Sequence, residues 1–178
     1  MWDIPSSIGT AGYLLDAARI GQGVDNELRV GRKVNPLTLR LNGVLHGGQS
    51  NTAVDDSINT VRLILFTGAP NLSAAAAATA WSLNKPGDPA RMGGCYSVLL
   101  DVTLVLVSPG RDSTGYLPAA RHVNYVVSLR QALPELMFSG SDGTTNHTGV
   151  YLFALSDSSA MPNPGFVSGG LTIDYLDG

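Results

Sequence analysis

Basic residues concentrated near the start of the chain are the strongest candidates for chemistry. Five of its eleven lysines and arginines lie in the first quarter, at Arg19, Arg29, Arg32, Lys33 and Arg40. Side chains of this type bind phosphate through charge, without reading base sequence, and such binding weakens steeply as salt rises. Arginines near strand ends also form salt bridges between subunits. The pattern therefore leaves two interpretations open, a nucleic-acid contact and a protein contact.

Acidic residues suggest a second kind of site. Asp55 and Asp56 are adjacent, and Asp174 and Asp177 lie close together near the last residue. Calcium prefers clustered carboxylate oxygens, and such a cluster could lie between subunits. Aspartates also form turns and solvated loops, and this interpretation is favoured here. The sequence thus predicts no cofactor beyond a candidate inter-subunit calcium ion.

Signatures of catalysis are missing from the sequence. The histidines, His46, His122 and His147, are far apart and lack the spacing of paired ligands, which argues against a cupin-like metal enzyme. The segment 21–23 (GQG) is not a dinucleotide fingerprint, because position 26 is asparagine and no strand–helix unit follows. No G-x-S-x-G nucleophile motif occurs. We therefore predict that the protein is not an enzyme.

The composition indicates that other molecules cover part of the surface of this chain. Hydrophobic residues make up 44% and charged residues only 14%, against about 25% charged in a typical globular domain. The net charge of −3 argues against an isolated basic nucleic-acid-binding domain. The simplest explanation is that copies of the same chain cover apolar surface.

Cysteine content and the apolar segments limit the class of protein further. The single cysteine, Cys95, excludes an intrachain disulfide and a cysteine-based zinc cluster, and we expect it to be a small buried side chain. Residues 1–3 (MWD) lack the basic start of a signal peptide and no long apolar run follows them, so a signal peptide is not expected. No run reaches about 18 apolar residues, so no membrane contact is expected.

Hydrophobic alternation predicts a chain made mainly of strands. Within 34–45, for example, Leu39 and Leu41 share one face while Arg40 and Asn42 share the other. Segments 60–66 and 149–155 are apolar on both faces, which places them inside a sheet. In full, the eight predicted strands are 10–18, 34–45, 60–66, 96–107, 123–129, 136–138, 149–155 and 170–177.

One helix interrupts the strands. Residues 71–81 contain five consecutive alanines, with Asn71 or Ser73 as N-cap, and they lie between the third and fourth predicted strands. Strands and helices do not alternate, so a parallel sheet is not expected. We predict an all-β, eight-stranded antiparallel jelly-roll sandwich with this one short helix. Residues 1–9 are expected to form an arm carrying Trp2 and Ile4, and residues 10–178 a single domain.

Short motifs in a fixed order carry a resemblance to a known family. The chain resembles the single jelly-roll capsid proteins of small plant satellite viruses and of circovirus-like single-stranded DNA viruses. In those proteins a glycine–glutamine–glycine turn and an R-x-G-x-K motif precede the strand called C, and D-V-T-L is typical of strand E. The matching segments, which cover the chain from about residue 12, are 21–26, 29–34, 100–104, 123–125, 150–157 and 171–177.

This resemblance implies a virion protein that assembles with itself into a small icosahedral shell around an RNA or single-stranded DNA genome. The genome would be held by non-specific charge contacts, and the arginine-rich arm common in the family is not seen in this sequence. We expect the polar loops to form subunit contacts and the outer surface. These loops are 46–59, 82–94, 108–120, 139–148 and 157–168.

A carbohydrate-binding β-sandwich, such as a lectin, is the alternative from another functional class. It would need exposed aromatic rings along one face or in a cleft. Tyr13, Tyr116 and Tyr151 are the candidates for that role, whereas Trp81 falls at the end of the predicted helix.

Overall fold

The fold is described from a computed structural model. It describes residues 2–23, 29–48, 57–85, 87–88, 96–112, 115–140, 144–146, 148–159 and 161–177; at 111, 112, 115 and 116 only the backbone is described. The predictions for Asp55, Asp56, Cys95 and His147 lie outside the described residues.

Strands dominate the described part of the chain, which contains one helix. Four of its eleven strands have only two residues. In chain order the elements are β1 (Trp2–Asp3), β2 (Tyr13–Asp16), β3 (Lys33–His46), β4 (Ile58–Gly68), α1 (Ala74–Ala80), β5 (Ser97–Val107), β6 (Arg111–Asp112), β7 (Gly115–Tyr116), β8 (Ala120–Ser128), β9 (Leu136–Met137), β10 (Gly149–Ser156) and β11 (Gly165–Asp177). The prediction of an all-β chain with one short helix is confirmed, and α1 lies between the two strands predicted to flank it.

Two antiparallel sheets pack face to face. Sheet A has the order β1-β11-β3-β8, with β9 paired to the first residues of β3. Sheet B has the order β2-β10-β4-β5, and β6 and β7 form a separate two-stranded ribbon. Every strand pair within the two sheets is antiparallel. The layers therefore form a sandwich, with a hydrophobic core between its inner faces.

The alternation of β3 builds one wall of this core. Leu39, Leu41 and Leu45 are fully buried, whereas Arg40 and Asn42 on the opposite face are exposed, as the sequence predicts. Each leucine buried in this way contributes roughly 1.5–3 kcal/mol. Buried leucines and valines of β4, β10 and β5 supply the opposite wall.

A second apolar cluster lies on the outer face of sheet B, beneath α1. Phe66 of β4 and Phe153 of β10 point away from the main core and pack around Trp81, which follows the helix. The ring centroids of Phe66 and Trp81 are 4.4 Å apart. Ser73 caps the helix, its Oγ accepting from the amide of Ala76 at 3.1 Å. Because α1 covers the outer face here, β4 and β10 are buried on both sides, which confirms their predicted interior position.

Residues near the start of the chain differ from the predicted strand bounds. The strand predicted over 10–18 spans only Tyr13–Asp16, because the Asp16 carboxylate accepts from the amide of Ala18 and closes a turn. Trp2 and Asp3, from the predicted arm, pair with Leu171 and Gly170 of β11. Two-residue strands such as β1, β6 and β7 give no alternation that a sequence pattern could reveal.

Within the described residues, no helix has the length and apolar character needed to cross a bilayer.

Candidate functional site

Arg29 is buried and organises one end of the sandwich. Its Nε donates to the carbonyl of Ile20 at 3.1 Å, and its other guanidinium nitrogens donate to the carbonyls of Gly31 and Gly140. The guanidinium carbon also lies 4.2 Å from the ring centroid of Phe138. A side chain with no exposed area and these partners cannot reach a phosphate in this conformation, so we assign Arg29 a structural part.

Three other predicted basic residues lie on the two segments that Arg29 joins. The amide of Arg29 donates to the carbonyl of Gly21 at 3.0 Å, which holds the segment after Arg19 beside the segment that leads to Arg32 and Lys33. Arg19, Arg32 and Lys33 are all exposed. We call these three residues the basic end. Lys33 Nζ forms an ion pair with Glu135 Oε2 at 3.2 Å, and both side chains are substantially exposed.

Arg40 lies apart from the basic end, on the outer face of sheet A. It is seven residues along β3 from Lys33, a separation of about 23 Å. Its Nε donates to Asp174 Oδ2 at 2.8 Å, and the hydroxyl of Thr38 donates to the same oxygen. The Thr38 hydrogen bond, followed by the Arg40 contact, lowers the pKa of Asp174 below its usual value. The positive charge of Arg40 is therefore partly offset by a neighbouring carboxylate.

Of the acids considered for calcium, Asp174 and Asp177 are described, and both accept hydrogen bonds from neighbouring residues. Asp174 is bound by Thr38 and Arg40, and Asp177 Oδ1 accepts from the amide of Val30 at 3.3 Å. Among the residues that the structure describes, no group of three or more histidine, cysteine, aspartate or glutamate side chains could hold a metal ion. The histidines that are described, His46 and His122, lie in the paired strands β3 and β8.

Of the tyrosines considered for sugar binding, Tyr151 is buried, Tyr13 is exposed, and the side chain of Tyr116 lies outside the described residues. Trp81 and Tyr151 are 2% and 1% exposed and belong to the cluster beneath α1. The Tyr151 hydroxyl donates to the carbonyl of Ala69 at 2.8 Å and accepts from the amide of Leu72 at 3.2 Å. Burial raises the pKa of Tyr151 to about 12. Neither ring offers a face on which a sugar could stack; Tyr13 is partly exposed.

An ion pair between β4 and β5 was not predicted from the sequence. Arg62 Nε and Nη2 donate to Asp101 Oδ1 and Oδ2 at 2.8 and 2.5 Å, and Arg62 Nη1 donates to the carbonyls of Ser82 and Lys85. The Asp101 carboxylate raises the pKa of Arg62 above its usual value. The pair thus ties the loop after α1 to sheet B, on the wall of an open groove of about 470 Å³.

A signal for this pair was present in the sequence. Arg62 is the only charged residue in an otherwise apolar strand, and Asp101 is the only one in the strand that follows the helix. A lone charge in a buried strand needs a partner, because an uncompensated charge is costly to bury.

Comparison with known proteins does not assign a family. No protein-family model matches the chain, and no curated protein matches it significantly.

Proposed function

We propose that this protein is a viral coat protein that assembles with itself into a small icosahedral shell around an RNA or single-stranded DNA genome, and that its sandwich is a jelly roll. The proposal requires a rigid subunit, surfaces that join copies and a positively charged region for the genome. It requires neither a cofactor nor a catalytic residue.

The pattern of strand pairs is the observation that carries this proposal. Leaving aside β6, β7 and β9, eight strands remain in chain order. The first pairs with the eighth, the second with the seventh, the third with the sixth and the fourth with the fifth. These pairs are the ones expected when the chain folds back on itself at its middle, so that its two halves run antiparallel as one long two-stranded ribbon. The eighth strand also pairs with the third and the seventh with the fourth, as expected when the ribbon is rolled into a sandwich.

Counting β1 changes the correspondence with the capsid strands. With β1 as the first strand, β3 is third in the roll and β5 is fifth, whereas the motif resemblance placed them second and fourth. The correction arises because Trp2–Asp3 pairs with β11 and so belongs to sheet A. The segments compared with strands C and E therefore lie one strand later than the resemblance implies, whereas 150–157 and 171–177 remain on the last two strands.

Surface chemistry supports assembly of identical copies. Only 14% of residues are charged, and large apolar side chains are more than half exposed on both sheets, among them Val105 and Val107 on β5 and Val126 on β8. Apolar surface of this kind is typical of protein that is covered by a partner. A shell of identical subunits would cover it.

Contact with the genome is assigned to the basic end. Arg19, Arg32 and Lys33 are exposed and lie on neighbouring segments, so they can meet a phosphate backbone together. Arg40 contributes a further positive group on sheet A, and its charge is partly offset by Asp174. Arg29 supports the basic end from within the fold.

The size of the purified protein tests the proposal. A shell gives particles in the megadalton range that negative-stain microscopy can image, and its ultraviolet absorbance reveals whether nucleic acid is enclosed. A monomer that persists at high concentration would overturn the proposal. Because jelly rolls also occur in lectins, a small oligomer whose size or stability changes with added sugar would favour carbohydrate binding instead.

A further inference from the structure

Within the described residues, the two strand orders end at β1 and β8 in sheet A and at β2 and β5 in sheet B, and three of these four edge strands carry protection against pairing. β1 and β2 are only two and four residues long. β8 carries the exposed basic residue Arg121 and the exposed imidazole of His122. Short length and charge are devices that keep an edge from pairing with another chain. The remaining edge, β5, has eleven residues.

β5 lacks those protective features. It contains no lysine, arginine or proline, and its only charge, Asp101, is paired with Arg62. Its one irregularity is at Leu99, before the regular register of residues 100–107 with β4 begins. Within the described part of the chain, β5 pairs with no strand but β4. Residues 100–107 therefore present a long, neutral and regular edge.

Apolar side chains stand beside this edge on the outer face of sheet B. Val107 lies directly opposite Ile58 of β4 in the register, and Val105 is two residues away on the same face. Ile58, Val105 and Val107 are 57%, 51% and 59% exposed. A neutral edge with an exposed apolar group at one end is a surface on which another strand can pair and bury side chains.

We propose that β5 pairs antiparallel with β5 of a second copy, across a two-fold axis, so that sheet B continues from one copy into the next. The inference rests on the proposed self-assembly and names one of its contacts. A two-fold pairing brings identical edges together, so a charged edge such as β8 would repel its twin. β5 meets its twin without repulsion, since Arg62 neutralises Asp101 within each copy.

Lysine substitutions on the exposed positions of β5 test this contact. V105K/V107K places two positive charges beside the edge at positions that are already solvent-exposed, so the fold is retained. We expect the dissociation constant of the two-copy contact, measured by sedimentation velocity over a dilution series, to rise at least about tenfold. V126K is the matched control, because Val126 is equally exposed and lies on the charged edge strand β8. V126K should leave the dissociation constant of this two-copy contact unchanged, because Val126 lies on sheet A and not on the β5 edge.

Amide hydrogen exchange provides a second measurement, which needs no variant. In the assembled wild type the β5 amides that point away from β4 should be protected, and dilution to single copies should expose them. The outward amides of β8 serve as the internal comparison and should exchange equally fast in both states. Equal exchange of the outward β5 amides in both states would overturn the inference, whether or not V105K/V107K folds.

The outcomes separate this inference from the proposed function. If particles form equally well in the wild type and in V105K/V107K, the proposed shell is retained and the β5 contact is rejected. If the wild type forms only a two-copy assembly and the lysine substitutions dissociate it, the β5 contact is retained and the shell is rejected. If the wild type stays monomeric at high concentration, both are rejected.

Discussion

Arg62 and Asp101 form a two-point ion pair that joins β4 to β5, with Nε–Oδ1 and Nη2–Oδ2 distances of 2.8 and 2.5 Å. The arginine side chain is 7% exposed and the aspartate side chain 33%. The same guanidinium holds the loop after α1 through the carbonyls of Ser82 and Lys85. One side chain therefore neutralises the β5 edge and secures the segment that covers the second apolar cluster.

Removing Asp101 should destabilise the subunit. In D101A the buried guanidinium of Arg62 loses its counter-charge, so we expect the free energy of unfolding to fall by about 2–3 kcal/mol. This loss is smaller than for a fully buried pair, because the aspartate is partly exposed. D174A is the matched control, since the Arg40–Asp174 pair is about half exposed and should contribute about 1 kcal/mol or less. Urea denaturation at equal protein concentration measures both values. Equal losses in the two variants would contradict this assignment.

Tyr151 should make the free energy of unfolding decrease at alkaline pH. Its pKa in the folded protein is about 12, compared with 10.0 for the ordinary side chain. The folded state therefore holds the phenolic proton more tightly. The stability linked to this proton is fully present below pH 10 and is lost as pH rises to about 12, by roughly 2–3 kcal/mol.

Y151F tests this assignment. The variant should lack the late tyrosinate transition near pH 12 in an absorbance titration. It should also lose about 1–2 kcal/mol at neutral pH, because the carbonyl of Ala69 and the amide of Leu72 lose their partner. Y13F, at a partly exposed position, should keep both the late transition and the stability. Retention of the transition in Y151F would assign it to another tyrosine.

Gly169 should be intolerant of a side chain. Its φ is +114°, and a Cβ built there would lie 2.1 Å from the carbonyl oxygen of Asn42, a backbone atom in the paired strand β3. We expect G169A to lose about 2–4 kcal/mol in chemical denaturation. G110A is the control, because nothing lies within 4 Å of a Cβ at that position, and its stability should change by about 0.5 kcal/mol or less. A neutral G169A would mean that β11 and β3 can separate locally at little cost.

Much of the sandwich could be predicted from the sequence, because local pattern determines it. The alternation of Leu39, Arg40 and Leu41 predicts which face of β3 is buried. Apolar residues on both faces of β4 and β10 reflect the second cluster beneath α1. β1 could not be predicted in this way, since two residues show no period and its pairing with β11 depends on contacts across the whole chain.

The contacts of the candidate-site residues were harder to predict, because distant segments form their surroundings. Arg29 and Arg32 occupy similar sequence surroundings, yet Arg29 is buried and Arg32 is exposed. The buried guanidinium of Arg29 donates to the carbonyl of Gly140, which is 111 residues away in the sequence. Arg62 and Asp101 are 39 residues apart and meet only through the register of β4 with β5. Composition and spacing do not specify such long-range contacts.

Loss of the basic end should weaken binding of single-stranded nucleic acid and reduce its salt dependence. If Arg19, Arg32 and Lys33 each neutralise one phosphate, R19A/R32A/K33A should lower the slope of log K against log salt by about 2. Fluorescence anisotropy of a labelled oligonucleotide at several salt concentrations measures this slope. R121A is the matched control, since Arg121 is exposed and pairs with Leu45, near the opposite end of β3 from Lys33. An unchanged slope in the triple variant would exclude the basic end as the genome contact, because the lost charges would then have released no counterions.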